Sequence, residues 1–287
     1  MPEDAKRLAV IGAGTMGHGI AQVCAMAGFT VRLVDRTLEL AGAGVDRIAA
    51  NLEGGVRRGK LSEAERAATL EHVEAGSDIA GAAADVAFAI EAVPERIDLK
   101  REIFDVLDAS APDSAVLATN TSSLSVTKIQ SATNRPQRVL GLHFFNPVHI
   151  NPLVEVVRAR ATSEATVERA LELVRAIGKE SVVINDAPGF ATSRLGVLLG
   201  LEAMRMVEEG VASARDIDRA IELGYRHPMG PLRLTDLVGL DVRLDIARHL
   251  HAELGGDRFR PPRILERMVD EGKLGKKSGH GFYDWTE

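Results

Sequence analysis

The chain has 287 residues, 45% of them hydrophobic and 26% charged, with a net charge of −6. That length suggests two domains with cores large enough to need no disulfide or metal staple. The composition excludes disordered, collagen-like and coiled-coil chains, and the single Cys24 excludes a disulfide framework.

No Cys/His cluster has zinc spacing. The acidic balance, with no long basic run, argues against a nucleic-acid partner. No apolar stretch approaches the ~20 residues that span a bilayer, so no membrane partner is expected. Met1 to Arg7 is short and charged and lacks the apolar core of a signal peptide, so a cytoplasmic protein is expected.

The first half alternates strand-like and helix-like segments. Leu8–Ile11 is a short apolar run ending at Gly12. Met16–Ala27 reads as a helix that Gly28 terminates. Thr30–Val34 is β-branched and apolar and ends at Asp35. A helix from Leu38 to about Arg58 follows, then a capping box of Ser62 and Glu65. Val86–Ile90 reads as a buried strand and Ile97–Leu107 as an amphipathic helix. Val116–Ala118, Val139–Leu142 and Leu153–Val157 read as strands, Ser163–Ile177 as a helix and Ser181–Ile184 as a last strand. This alternation implies βαβ units and a largely parallel sheet.

The character changes near Asp186–Pro188, after which no good strand appears. Arg194–Glu209, a Ser213-capped segment through Leu223, Leu234–Leu254 and Pro262–Asp270 read as helices. The expected organisation is therefore an α/β, Rossmann-type domain over 1–186 and an all-α domain over 187–287. The helix after Phe190 is too apolar for a solvated surface. It is either the core of the second domain or a face buried against another subunit.

Gly12, Gly14 and Gly17 fit G-x-G-x-x-G, with Ala13, Thr15 and Met16 between them. The pattern follows a strand, opens a helix, and is followed by an acid, Asp35, at the end of the next strand. Gly12 allows the tight turn, Gly14 lets backbone approach a pyrophosphate, and Gly17 lets helix and strand pack closely. The first-turn N–H groups attract phosphate. Asp35 suits a ribose 2′-hydroxyl and repels a 2′-phosphate, which points to NAD over NADP. Arg36 beside it pulls the other way. The bland alternative is a glycine-rich turn with no ligand.

Polar groups then cluster at strand ends. Asn120-Thr121-Ser122-Ser123 and His143-Phe144-Phe145-Asn146 fall where open α/β sheets bind ligands. A hydroxyl dehydrogenase needs a base near neutral pH, which suits His143. Glu155, on the following strand, could orient the imidazole and stabilise its cation. Ser122 and Asn146 could hold a substrate oxygen. His143 reads equally as a core histidine, and Glu155 as a solvated strand residue. Arg57, Arg58 and Lys60 form a small basic patch, either a solvated helix end or a site for phosphates.

The sequence resembles the L-3-hydroxyacyl-CoA dehydrogenases over nearly its whole length. The resemblance rests on Gly12–Gly17, Glu91-Ala92-Val93-Pro94-Glu95, Asn120–Leu124, Leu142–Pro147, Leu153–Val156 and Pro188-Gly189-Phe190. It continues through Pro228–Pro231, Val238–Asp241 and Leu274–Gly279 with Gly281-Phe282-Tyr283. It implies a His143 base partnered by Glu155, with Ser122 and Asn146 on the substrate oxygen. Asp35, Ala92, Glu95, Lys100 and Ser122 would then line the NAD site. It also implies an acyl-CoA substrate, most closely 3-hydroxybutyryl-CoA, and a homodimer through the C-terminal domain. Where the family has asparagine after Pro-Gly-Phe-x-x, this chain has Ser193, which puts the acyl preference in question. Two other readings compete. One is a dehydrogenase of free β-hydroxy acids, which would centre on a lysine. The other is a non-catalytic NAD-binding protein.

Overall fold

The computed structural model describes residues 6–286. The expectation for Met1–Ala5 lies outside the described residues. The chain divides into two units, the first running to Asp186 and the second beginning at Ala187.

The first unit is built on one eight-stranded sheet in the order β3-β2-β1-β4-β5-β6-β7-β8. The strands are β1 (Arg7–Ile11), β2 (Thr30–Val34), β3 (Val73–Gly76), β4 (Phe88–Glu91), β5 (Val116–Thr119), β6 (Val139–Phe144), β7 (Leu153–Arg158) and β8 (Glu180–Asn185). Strands β1 to β6 pair in parallel, β7 runs antiparallel to β6, and β8 is parallel to β7. The central strands are buried along their whole length and apolar except for Glu91, Thr119 and His143 near their C-terminal ends, as a sheet covered by helices requires.

The helices of this unit are α1 (Gly17–Met26), α2 (Leu38–Arg57), α3 (Glu63–Glu71), α4 (Ile79–Ala83), α5 (Ile97–Ser110), α6 (Val126–Gln130) and α7 (Glu164–Ala176). The expected capping box opens α3, with Ser62 and Glu65 each bonded to the other's backbone N–H. The core joins Leu8, Val10, Ile20, Leu33, Ile48, Phe88, Leu142, Val156 and Leu173.

Sequence pattern marked none of β3, α4 and α6. Strand β3 is an edge strand, Val-Glu-Ala-Gly, that lies half exposed and carries one β-branched residue. Periodicity cannot mark four residues of that kind.

The second unit contains α8 (Thr192–Glu208), α9 (Ala214–Gly224), α10 (Pro231–Val238), α11 (Leu240–Leu254) and α12 (Arg263–Asp270). Helix α8 packs on the other four, burying Val197, Leu201 and Met204. It is the core of this unit, although Leu195 and Leu199 on it remain exposed.

The single helix expected over Leu234–Leu254 is corrected to two, broken at Gly239. Gly239 takes φ +106°, a conformation side-chain-bearing residues rarely adopt. The break lets the Leu240 N–H reach the carbonyl of Leu274 in the tail. That tail is pinned by a buried carboxylate. Asp236 accepts the N–H groups of Phe282 and Tyr283 and the Trp285 indole N–H, each at 2.9 Å. A second buried carboxylate, Asp218, accepts the Tyr283 hydroxyl at 2.7 Å.

Candidate active site

The glycine turn joins β1 to α1 and is held from several sides. Gly12 sits at φ +102°, and a Cβ there would lie 2.7 Å from the Ala92 carbonyl oxygen. A Cβ on Gly17 would collide with the Gly12 carbonyl oxygen. Both glycines are therefore forced by close backbone approach. Gly14 has nothing within 4 Å of its Cβ position, and Gly14 and Thr15 are exposed. This leaves room for a ligand's phosphates beside the first turn of α1, which no side chain caps. Asp35 Oδ2 accepts the Ala13 N–H at 2.8 Å, so the acid also fixes the loop. Arg47, on α2, donates to the Ala13 carbonyl at 2.8 Å. Nothing in its sequence context marked Arg47. Arg36 is exposed.

A buried charge network lies at the end of β4. Glu91 is fully buried and accepts the Lys100 ammonium at 2.7 Å, the Val93 N–H at 2.7 Å and the Thr119 hydroxyl at 2.6 Å. Lys100 also lies 3.3 Å from Glu95 Oε2. Glu95 Oε1 in turn accepts the Thr121 hydroxyl at 2.6 Å and the N–H groups of Ser122 and Ser123 at 2.9 and 3.0 Å. Burial raises the Glu95 pKa, but Lys100 and these donors outweigh it and hold the carboxyl below its ordinary value. Lys100 is only 1% exposed. Expected to line the cofactor site, it lies buried beside Glu95, whose carboxylate accepts from the Ser122 loop. Glu91 belongs to a family motif in the sequence, and only the fold shows that its carboxylate gathers Lys100, Val93 and Thr119.

His143 lies within β6, not past its end as the sequence suggested. Pairing with β5 stops at Gly141, but antiparallel β7 carries β6 on to Phe144. In that register His143 stands directly opposite Glu155. Nδ1 of His143 and Oε2 of Glu155 are 2.7 Å apart, with both side chains buried. The Phe145 ring lies 4.5 Å from the imidazole, centroid to centroid. Asn120 Oδ1 accepts the Phe144 N–H at 2.9 Å, tying the end of β5 to the strand that carries His143. Asn146 precedes a cis proline and is exposed, and Ser122 is half-buried. The other expected site residues lie in the first unit, but Ser193 is in the first turn of α8, in the second.

Basic groups gather beside α1. Burial, reinforced by Arg58, His18 and Lys179, holds the His149 pKa below its ordinary value. Of the Arg57, Arg58 and Lys60 patch, Arg58 belongs to this corner.

Comparison with known proteins decides the family. The profile of the 3-hydroxyacyl-CoA dehydrogenase NAD binding domain matches residues 7–187, and that of the C-terminal domain matches 189–285. The chain belongs to the 3-hydroxyacyl-CoA dehydrogenase family. It is an NAD-dependent oxidoreductase of that family. It is 46% identical over 287 residues to the 3-hydroxybutyryl-CoA dehydrogenase of Mycobacterium tuberculosis, covering 99% of this chain and 100% of that one. It is 45% identical to the probable 3-hydroxybutyryl-CoA dehydrogenase of Bacillus subtilis, covering 98% of each. The crystal structure of M. tuberculosis FadB2 superposes with a TM-score of 0.94 at 46% identity, covering 98% of this chain and 99% of that one. That of (S)-3-hydroxybutyryl-CoA dehydrogenase PaaH1 from Ralstonia eutropha gives 0.93 at 36% identity, covering 99% and 100%. Among the described residues no helix is long and apolar enough to cross a membrane.

Proposed function

We propose that this dehydrogenase interconverts (S)-3-hydroxybutyryl-CoA and acetoacetyl-CoA, with His143 as general base. The buried His143–Glu155 pair carries the reading. A carboxylate on Nδ1 fixes the ring and its tautomer, which makes Nε2 the atom that takes the substrate hydroxyl proton. Glu155 then stabilises the imidazolium. NAD, when bound, would supply the hydride acceptor for oxidation at C3. In reverse, the imidazolium returns its proton to the carbonyl oxygen. Ser122 and Asn146 hold that oxygen.

Gly12, Gly14, Thr15, Met16 and Gly17 receive the pyrophosphate, and Asp35 the adenosine ribose. Ala92, Glu95 and Ser122 line the nicotinamide side, and Lys100 holds Glu95 in place. Cations near His149, Arg58 among them, suit the phosphates of CoA. Ser193 faces the acyl group. In this reading 1–186 is the NAD domain and 187–287 the substrate and dimerisation domain. Exposed Leu195, Leu199, Leu234, Leu237, Val238 and Val242 give the second unit an apolar face that suits a homodimer. Sedimentation of the purified protein tests the dimer, and a monomer at micromolar concentration refutes it. The enzyme acts in the cytoplasm, as fractionation of its source cells would show.

The deciding experiment is His143→Ala assayed by NADH oxidation with acetoacetyl-CoA. The expected fall in kcat is about 10²- to 10⁴-fold, with NADH binding retained. Near-normal turnover would refute the role of His143. Turnover of free acetoacetate but not of its CoA ester would refute the substrate.

A further inference from the structure

Strand β6 loses one of its two neighbours before it reaches His143. Its ladder with β5 runs from Leu117 opposite Val139 to Thr119 opposite Gly141 and stops where β5 ends. Its ladder with β7 continues to Phe144 opposite Val154. His143 and Phe144 therefore lie beyond the β5 ladder, although both are buried. A buried backbone N–H left facing the missing side would carry the full cost of an unmade hydrogen bond.

One side chain fills that gap. Asn120 directly follows β5 and is 8% exposed, and its Oδ1 takes the Phe144 N–H at 2.9 Å. The contact stands in for the ladder bond that β5 no longer supplies. Asn120 is itself fixed, because its N–H donates to the Glu91 carbonyl at 2.8 Å. The next residue, Thr121, is locked as well, donating to Glu95 at 2.6 Å and accepting the Leu124 N–H at 3.0 Å. An anchored acceptor at the centre of the sheet thus holds the residue beside His143. A carboxamide suits the place, since it offers a carbonyl oxygen without burying a charge. Phe145, whose ring lies 4.5 Å from the imidazole, follows directly, so the same bond steadies both ring and imidazole.

We infer that Asn120 is a positioning residue for the dehydrogenase reaction, holding the end of β6 so that His143 keeps its place against Glu155. This rests on the reading of His143 as general base. Glu155 fixes the imidazole from β7, and Asn120 fixes the backbone that carries it from the β5 side, so β6 is clamped on both edges at this point. Proton transfer is sensitive to such placement, and a shift of about 1 Å costs on the order of 10²-fold in rate. The Oδ1 acceptor alone performs this role, and the Nδ2 donor has no part in it.

The test is NADH oxidation with acetoacetyl-CoA for Asn120→Leu and Asn120→Asp, with Asn120→Leu also placed in a His143→Ala background. Asn120→Leu removes the acceptor and keeps the volume, and should lower kcat by roughly 10- to 100-fold. The KM for acetoacetyl-CoA and the Kd for NADH should stay close to wild type. Asn120→Asp keeps an oxygen for the Phe144 N–H and should recover most of kcat. In the His143→Ala background Asn120→Leu should cause no further loss, because residues that act through one another are not additive. If Asn120→Leu does not fold, Asn120→Ser is the second variant, since its hydroxyl is too short to reach the Phe144 N–H and kcat should fall in the same way. A folded Leu or Ser variant with wild-type kcat overturns the inference. So does an Asp variant as slow as the Leu variant, which would assign the role to Nδ2. A loss that persists in full without His143 also overturns it, as the mark of a merely structural role. Near-normal turnover of His143→Ala alone would instead refute the general-base reading.

Discussion

Replacing Lys100 with methionine isolates the buried charge network under the Ser122 loop. Methionine keeps most of the length and apolar bulk of the stem and removes only the ammonium. Glu91 would keep the Val93 N–H and the Thr119 hydroxyl but lose its cation, while remaining fully buried. Lys100 and Glu91 are 1% and 0% exposed, so water cannot take over the role of the ammonium. Removing one partner of a buried pair costs about 3–5 kcal/mol. For amides of β4 and β5 that exchange through opening of this unit, that corresponds to roughly 150- to 5,000-fold faster exchange. Hydrogen exchange resolved by peptide mass spectrometry measures it, with the α8–α12 peptides as internal reference. NADH affinity should fall as well, because Glu95 loses the cation that holds it. The double variant Glu91→Gln/Lys100→Met should recover most of the stability, since no lone charge is left behind. A loss below about 1 kcal/mol in the single variant, the size of an exposed pair, would refute the reasoning. A double variant no more stable than the single would do the same.

Three further outcomes follow from other contacts. Asp35→Ser should weaken NAD binding and narrow its preference over NADP, because it removes both the proposed ribose acceptor and the partner of the Ala13 N–H; kcat/KM for NADPH above that for NADH in the wild type would contradict this. Asp236→Ala leaves three partly buried donors without their acceptor and should destabilise the second unit by about 1–3 kcal/mol; a red shift in the emission of Trp285, the sole tryptophan, reports the tail's release, and an unshifted spectrum would refute the latch. Glu95 has a lowered folded pKa, so its contribution is complete above the ordinary value of 4.5 and is lost as pH falls through the lower folded value; acid titration of wild type against Glu95→Gln should therefore diverge above that window and converge below it, and parallel curves would refute the assignment.

Local pattern was enough for most of the elements. The strands from Leu8, Thr30, Val116 and Leu153, the Ser62–Glu65 cap and the glycine turn all follow from residues close in sequence. Pattern of that range has a period and a stop signal but no partner. Partners were therefore decided by tertiary structure. The edge strand β3 exists because β2 offers it a ladder, not because Val-Glu-Ala-Gly prefers extension. The break at Gly239 exists because the tail needs the Leu240 N–H and the Asp236 carboxylate beside it. His143 and Glu155 were both visible as candidates, but only the antiparallel register of β7 brings them to 2.7 Å. In the sequence Glu91 stands only within a family motif and Lys100 only among the cofactor candidates; burial makes them one unit. Arg243 shows the same limit from the other side. Its sequence neighbours hold carboxylates, Asp241 and Asp245, yet α11 turns it onto the buried face, where among the described residues its Nε meets no acceptor. A helix decides which residues share a face, but whether a charge on that face meets an opposite charge depends on what packs against it.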